Sequence, residues 1–256
     1  MIRLTIPSID EADFEAVEAV LKTGFLVQGK HVADFESAIA DYIGCDHAIA
    51  VSNCTAALPL ALLAYGVRAD DLVIVTAYSW ISTANVIALC GAQPVFVDID
   101  PQTFNMDVEQ LEITLKRLMG NAETASRVKA IVPVDAFGQV ANMPAITELA
   151  SQYNLPVVED AACALGATWD GKQAGTWDVG CFSFHPRKAI TTGEGGIITT
   201  NNREIADQLR SLRNHGADPN ANSVDFIMPG YNYRLTEFQA AMGITQMQKL
   251  DRVIEA

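Results

Sequence analysis

Several common functional signatures are missing from this chain of 256 residues. No GxGxxG follows the first predicted strand and no GxxxxGKS or GxxxxGKT occurs, so the dinucleotide-binding and P-loop classes lose their main sequence support. The five cysteines are widely spaced and form no CxxC pair. They therefore indicate reduced thiols, and neither a disulfide framework nor a zinc site is expected.

Positive charge and long apolar runs are also scarce. The net charge is -14 and no Lys/Arg cluster is present, so we do not expect nucleic acid as a partner. The N-terminus lacks the basic and then apolar arrangement of a signal peptide, and no apolar stretch is long enough to cross a bilayer. We therefore expect a cytoplasmic protein with no membrane partner.

Apolar residues make up half of the chain, which is enough for one large core, so one domain over residues 1–256 is expected. Short runs of consecutive apolar and β-branched residues recur and indicate strands that are buried on both faces. These runs span residues 48–52, 72–78, 94–99, 130–135, 156–160, 181–185 and 195–200. Segments with helical spacing lie between most of them, for example Phe35, Ile39 and Ile43. The pattern predicts an α/β fold, a mainly parallel seven-stranded sheet with helices on both faces.

Two sequence patterns predict where helices begin. Ser8 with Glu11 indicates a capping box before the first helix, and Thr236 with Gln239 indicates another before the last. The last helical pattern runs to Ala256 without a stop signal. We therefore expect the sequence to end inside or just after a helix.

The residues that follow the predicted strands are unusually polar. In open α/β sheets ligands bind beyond the carboxyl ends of the strands, so these positions are the first candidates for a site. They comprise residues 52–55, 78–80, 135, 159–160 and 185–188. Asn53 and Thr55 precede a helical run whose N-terminus would suit a phosphate. From that segment alone, ordinary N-capping by one of them is the favoured interpretation.

One carboxylate and one lysine at these strand ends suggest a specific chemistry. Asp160 is our candidate to pair with the protonated ring nitrogen of a pyridoxal 5'-phosphate (PLP) cofactor, because an opposite charge stabilises both ionised forms. Glu159 is expected either to cap the next helix or to be a solvent-exposed partner of that helix. Lys188 stands between a strand and a glycine-rich turn, where a desolvated amine is plausible, although a lone lysine is ordinarily a surface group. His185 could equally be a packed core histidine.

Several long motifs occur in an order that resembles the DegT/StrS-type nucleotide-sugar aminotransferases. These are PLP enzymes with the aspartate aminotransferase fold. The motifs include GFLVQGKHVADFESAIADYIG, AVSNCTAALPLALLA, PVFVDIDPQTFNMD, PVVEDAACALGA, GCFSFHPRKAITTGEGG and GYNYRLTEFQAA. The resemblance implies the large-domain fold of PLP-dependent transferases, an α/β/α sandwich.

The resemblance also implies roles around the cofactor ring. Lys188 matches the lysine that forms the Schiff base and Asp160 matches the partner of the pyridine nitrogen. Trp80 matches an aromatic residue that stacks on the ring, and His185 matches a histidine beside the cofactor. Cys163 stands where many members have a glutamine or histidine that contacts the ring hydroxyl.

A second set of residues is implied around the phosphate. Thr55, the backbone N–H of Ala56 and Ser183 match the phosphate-binding cradle. Asn232 matches an asparagine that reaches the phosphate in the neighbouring subunit, so the resemblance implies a homodimer with shared active sites. Cys54 departs from the usual glycine in the cradle, and it would not take a positive φ as cheaply.

The implied reaction is transfer of an amino group from glutamate to a nucleotide-linked keto sugar. Such a step belongs to amino-sugar biosynthesis for surface polysaccharide or glycosylated metabolites. One alternative is a PLP-dependent sugar dehydratase, but related dehydratases replace the Schiff-base lysine with histidine. Another is a truncated or regulatory member that binds PLP without efficient turnover, because members continue into a smaller C-terminal domain that is expected to be absent here.

Overall fold

The computed structural model describes residues 5–221 and 223–255 as an alternation of strands and helices. The helices are α1 Glu11–Thr23, α2 Lys30–Ile43, α3 Cys54–Ala64, α4 Ser82–Leu89, α5 Val108–Met119, α6 Ala122–Ala125, α7 Met143–Gln152, α8 Arg203–Arg213, α9 Glu237–Met247 and α10 Leu250–Ile254. The strands are β1 His47–Val51, β2 Leu72–Thr76, β3 Gln93–Val97, β4 Val128–Val132, β5 Val158–Asp160, β6 Thr168–Trp169, β7 Lys172–Gln173, β8 Val179–Ser183 and β9 Gly196–Thr200. Each of the predicted strand segments overlaps a strand, and the β6–β7 hairpin was not predicted.

The strands form a four-stranded sheet in the order β1-β9-β8-β5 and a three-stranded sheet in the order β3-β2-β4. Isolated parallel bridges from Ile131 to Val157 and from Val134 to Asp160 connect β4 with β5 across the two sheets. The pairs β2–β3, β2–β4 and β5–β8 are parallel, whereas β9 runs antiparallel to both of its neighbours. The sheet is therefore mainly parallel, as predicted. The expected single seven-stranded sheet is resolved as two sheets joined by bridges.

Helices cover both faces of the sheets. On β2, Leu72 and Ile74 belong to one hydrophobic cluster, whereas Val73 and Val75 belong to a second cluster. The first cluster includes buried residues of α2, α5, α7 and α9, and the second includes those of α3, α4 and α8. Because side chains alternate between the faces of a strand, this division confirms the predicted burial on both faces.

The predicted start of α1 is wrong by two residues. Asp10 is the N-cap and forms a capping box with Asp13, so Ser8 lies outside the helix. Asp13 is buried and accepts a hydrogen bond from Lys249 Nζ at 2.6 Å, which connects α1 to the start of α10. The second predicted box is confirmed, because Thr236 and Gln239 cap the start of α9. Within the described residues no helix is both long and apolar enough to span a membrane.

Candidate active site

Strand register brings most of the candidate residues to one edge of the four-stranded sheet. Asp160, the last residue of β5, pairs with Cys181 on the parallel strand β8, which ends at Ser183. Ser183 in turn lies opposite Gly196 on β9, and Gly196 lies opposite Val51 at the end of β1. The lysine segment follows β8 and α3 follows β1. The fold thus gathers a carboxylate, a lysine and a helix N-terminus at one place.

Asp160 is a buried carboxylate with few donors. It is 5 % exposed, and its Oδ2 accepts a hydrogen bond from Thr83 Oγ1 at 2.7 Å. The backbone N–H of Ala162 donates to Oδ1 at 3.3 Å. Burial raises the pKa of Asp160, while these hydrogen bonds and the charge of Lys188 lower it. A buried carboxylate with a raised pKa and few donors is suited to bind a cationic ligand, because the positive charge would favour the ionised form of the carboxylate.

Thr83 is a site residue that sequence reasoning missed. It lies in the first turn of α4 and is 1 % exposed. The hydroxyl groups of Thr83 and Ser79 lie 2.7 Å apart, and Thr83 Oγ1 is also 3.2 Å from Trp80 O. Thr83 N also donates to Trp80 O at 3.1 Å, so one residue orients both Asp160 and the loop that carries Trp80. Trp80 is 78 % exposed, so its side chain is open to a ligand.

Replacing Thr83 with valine is expected to move the acid limb of the pH–activity profile to higher pH. The hydroxyl stabilises ionised Asp160, so its loss raises the pKa of that carboxyl group further. We expect kcat at neutral pH to fall by about tenfold, in line with one lost hydrogen bond to a charged group. The pH profile of kcat is the measurement, with Thr147→Val on α7 as the matched control. An unchanged acid limb in Thr83→Val would show that this hydroxyl does not tune Asp160.

Lys188 lies in the bend after β8, where its backbone N–H donates to His185 O at 2.9 Å. Its Nζ donates to Cys163 Sγ at 2.9 Å, and its charge acts on Asp160. His185 is half-buried and its Nδ1 accepts a hydrogen bond from the backbone N–H of Arg187 at 3.2 Å. Lys188, Cys163 and Asp160 are therefore neighbours, whereas His185 is engaged in the turn that presents the lysine.

Asn53 caps the N-terminus of α3. The structure shows which residue is the N-cap and whether Cys54 strains the turn, two points that the sequence left open. Asn53 Oδ1 accepts a hydrogen bond from the backbone N–H of Ala56 at 2.8 Å, so Asn53 and not Thr55 is the N-cap. A phosphate at Ala56 would share or displace that bond. Cys54 is the first helical residue and is not among the residues with positive φ, so the missing glycine does not strain this turn.

Thr55 and Ser183 border this helix N-terminus. Thr55 is exposed in the first turn of α3, and Ser183 Oγ accepts a hydrogen bond from the backbone N–H of His185 at 3.3 Å. β9 approaches closely, because a Cβ on Gly196 would lie 2.5 Å from the carbonyl carbon of Asn53. This contact explains the need for glycine where the glycine-rich turn enters β9.

Asn232 is exposed, in a segment that runs beside the end of β1. The segment is anchored by the backbone N–H of Ser52, which donates to Tyr233 O at 2.8 Å, and by an antiparallel bridge from Val51 to Arg234. The amide of Asn232 therefore lies at the protein surface, on a backbone that is fixed to β1.

The predicted position of Glu159 is wrong. It was predicted to cap a helix or to lie in solvent, but it sits inside β5 and is fully buried. Its Oε2 accepts a hydrogen bond from the backbone N–H of Gly175 at 2.8 Å. Strand alternation explains the difference, since Glu159 and Asp160 point to opposite faces of a strand that is covered on both.

A protein-family model described as the DegT/DnrJ/EryC1/StrS aminotransferase family matches residues 7–256. Among curated relatives, GDP-perosamine synthase of Caulobacter vibrioides is 43% identical over 257 residues, covering 100% of this chain and 67% of that protein. The chain thus spans about two thirds of the length of this relative.

Solved structures of similar fold are also found among sugar-modifying enzymes. A GDP-4-keto-6-deoxymannose-3-dehydratase with bound GDP-perosamine superimposes with a TM-score of 0.90 at 30% identity, covering 100% of this chain and 70% of that one. A Streptococcus pneumoniae protein, solved in a PMP form, superimposes with a TM-score of 0.88 at 28% identity, covering 98% and 66% of the two chains. It has also been solved in a PLP form.

Proposed function

Because the chain belongs to the DegT/DnrJ/EryC1/StrS aminotransferase family, whose enzymes depend on PLP, we propose that it transfers an amino group from glutamate to a nucleotide-linked keto sugar. The product would be a nucleotide-linked amino sugar for surface polysaccharide or a glycosylated metabolite. The name of the relative from Caulobacter vibrioides supports this substrate class.

One observation carries the proposal: the amine of Lys188 stands beside a buried carboxylate, Asp160, at the carboxyl ends of two parallel strands. No residue in the described part of the chain offers Asp160 a positive charge at hydrogen-bond distance, because its side-chain donors are Thr83 and Ala162. A pyridinium nitrogen would provide that charge. The exposed face of Trp80 and the N-terminus of α3 lie at the same edge of the sheet, so the residues fit PLP.

In this proposal Lys188 Nζ would hold the cofactor covalently, and Asp160 would keep the proton on its ring nitrogen. Trp80 would pack against the ring, while Thr55, Ser183 and the first turn of α3 would bind the phosphate. Bound PLP supplies an electron sink for the bond that breaks at the substrate carbon.

The residues of this chain then have separate tasks in the reaction. When Lys188 Nζ is not bonded to the cofactor, it would take a proton from the substrate carbon and return it, as a general base and acid must. Cys163, 2.9 Å from this Nζ, is placed to hold the free amine at the edge of the site. Asp160 acts as negative charge develops on the reacting carbon, because the ionised carboxylate keeps the ring nitrogen positive.

A sugar dehydratase is the second candidate, favoured by the likeness to the GDP-4-keto-6-deoxymannose-3-dehydratase. Related dehydratases have histidine where this chain has Lys188, and a histidine side chain cannot hold PLP through an amine. Lys188 therefore favours transamination.

The functional unit in this proposal is a homodimer with shared sites. Asn232 supports this idea because its amide is exposed at the protein surface, on a segment anchored to β1. From there it would donate to the phosphate bound by the partner subunit.

The experiment that tests the proposed function is a two-step assay on the purified protein. PLP-loaded protein is mixed with glutamate, and the conversion of the cofactor to its amine form is followed by absorbance. A panel of nucleotide-linked keto sugars is then offered to the amine form and the products are identified by mass spectrometry. Amino sugar formation supports the proposal; release of water from the sugar without amine incorporation would indicate the dehydratase.

A further inference from the structure

Two carboxyl groups, those of Asp135 and Glu159, are buried next to Asp160 and have no part in the proposed chemistry. Glu159 is fully buried and Asp135 is 1 % exposed. Asp135 follows β4 and Glu159 lies within β5, so the pair spans the junction between the two sheets. The parallel bridge between Val134 and Asp160 places the two carboxyl groups beside each other, where one could donate a hydrogen bond to the other.

A hydrogen bond between two carboxyl groups requires a proton. On one side of the pair the backbone N–H of Ala141 donates to Asp135 Oδ1 at 2.8 Å, and on the other that of Gly175 donates to Glu159 Oε2 at 2.8 Å. The remaining oxygens, Asp135 Oδ2 and Glu159 Oε1, receive no N–H or O–H donor from residues 5–221 and 223–255. Ionised carboxylates only accept hydrogen bonds, so a single proton between them would satisfy both oxygens.

The electrostatic environment also favours one proton between the two carboxyl groups. Burial raises the pKa of Glu159 well above its usual range, and the charge of Asp135 raises it further. Burial also raises the pKa of Asp135, whereas the hydrogen bond from Glu159 lowers it. The other titratable groups that act on the pair are Asp160, Lys172 and the thiol of Cys181.

The pair is connected to Asp160 through the backbone. The N–H of Asp135 donates to Asp160 O at 3.1 Å, and the N–H of Asp160 donates to Pro133 O at 2.9 Å. Glu159 directly precedes Asp160 in β5. A second negative charge on the pair would also act on Asp160, because like charges in a buried cluster raise one another's pKa.

We propose that Asp135 and Glu159 share one proton at neutral pH, and that they act as positioning residues which hold Asp160 in place and keep a second negative charge away from it. The shared proton follows from the geometry of this chain alone. The positioning role rests on the proposed function of Asp160.

The shared proton is tested by the pH dependence of unfolding in the wild type and in Glu159→Gln. The glutamine keeps the size and supplies an N–H to Asp135, but it cannot titrate. Because the folded-state pKa of Glu159 is raised, the stability it contributes is present below the usual glutamate pKa and is lost as the pH rises towards the folded-state value. In that window the folded protein holds one more proton than the unfolded chain. The unfolding equilibrium constant of the wild type, divided by that of Glu159→Gln, should rise about tenfold per pH unit. Parallel pH dependence in the two proteins would overturn the shared proton.

Infrared spectroscopy gives an independent measurement on the same proteins. At neutral pH the wild type should show the carbonyl stretch of a buried protonated carboxylic acid, and Glu159→Gln should lack it. The matched control is Glu148→Gln on the exposed side of α7, which should keep the band. A wild-type spectrum without this band contradicts the proposal.

The positioning role is tested with the PLP-loaded protein by replacing Glu159 with glutamine or with leucine. Leucine leaves Asp135 Oδ2 without a donor, so the pH titration of the cofactor absorbance should shift and the glutamate reaction should slow by about tenfold. Glutamine should restore the wild-type pH titration and bring the rate of the glutamate reaction to within about twofold of wild type. Val157→Ala is the control for general destabilisation of the strand region. If Val157→Ala moves the cofactor titration as far as Glu159→Leu does, the pair of Asp135 and Glu159 is merely structural.

Failure of the wild type to bind PLP removes the positioning role together with the proposed function. The unfolding measurement still decides whether the two carboxyl groups share a proton.

Discussion

Replacing Lys188 with alanine is expected to remove covalently held PLP and to lower the rate of amino transfer by about 10²-fold to 10⁴-fold or more, the range for one acid–base group. The amine has two tasks in the proposed reaction, since it holds the cofactor and moves the proton at the substrate carbon. Alanine performs neither. The wild type should be yellow with an imine absorbance that borohydride abolishes, and Lys188→Ala should lack that absorbance.

A lysine far from the site provides the matched control. Lys116 is exposed on α5 and pairs with Glu112 on the same helix, so Lys116→Ala should retain both the absorbance and the activity. If Lys188→Ala forms the same imine adduct as the wild type, the assignment of this lysine is wrong.

Replacing Asp160 with asparagine is expected to separate cofactor binding from catalysis. The amide keeps the size and can still accept the hydrogen bond from Thr83, but it cannot hold a proton on the ring nitrogen by its charge. PLP should therefore still bind through Lys188 and the phosphate contacts. The reaction with glutamate should slow by one to two orders of magnitude or more, about 1.4 to 2.8 kcal/mol in the activation free energy.

Single-turnover rates with glutamate measure this effect, because they exclude product release. Asp170→Asn in the exposed turn between β6 and β7 makes the same chemical change away from the site and should react at the wild-type rate. An Asp160→Asn protein as fast as wild type would mean that Asp160 is not the partner of the ring nitrogen.

The strands and the edge that carries the site could be predicted from the sequence, because each buried strand is a run of apolar residues followed by polar ones. Asp160 and Lys188 were identified from that pattern and from the family resemblance. The β6–β7 hairpin was missed, although Asp170 and Gly171 form a dipeptide typical of such turns. Its strands are only two residues long, too short to show any alternation.

Thr83 and the pair of Asp135 and Glu159 could not be predicted, because their roles depend on contacts between distant segments. Thr83 meets Asp160 across 77 positions of sequence, and nothing in the local pattern around either residue indicates that contact. Two acidic residues at the end of one strand suggest a surface cap, since charged residues are seldom fully buried without a partner. The partner of Glu159 is a second acid, Asp135, which follows the neighbouring strand β4, and only the fold brings the two together.

The most direct test of the central claim is to identify the lysine that carries the cofactor. PLP-loaded protein is reduced with borohydride, digested with a protease, and the peptides are sequenced by mass spectrometry. We predict a single pyridoxyl-modified peptide, with the added mass on Lys188. Modification of a different lysine, or a reduced protein with no modified peptide, would contradict the proposed site.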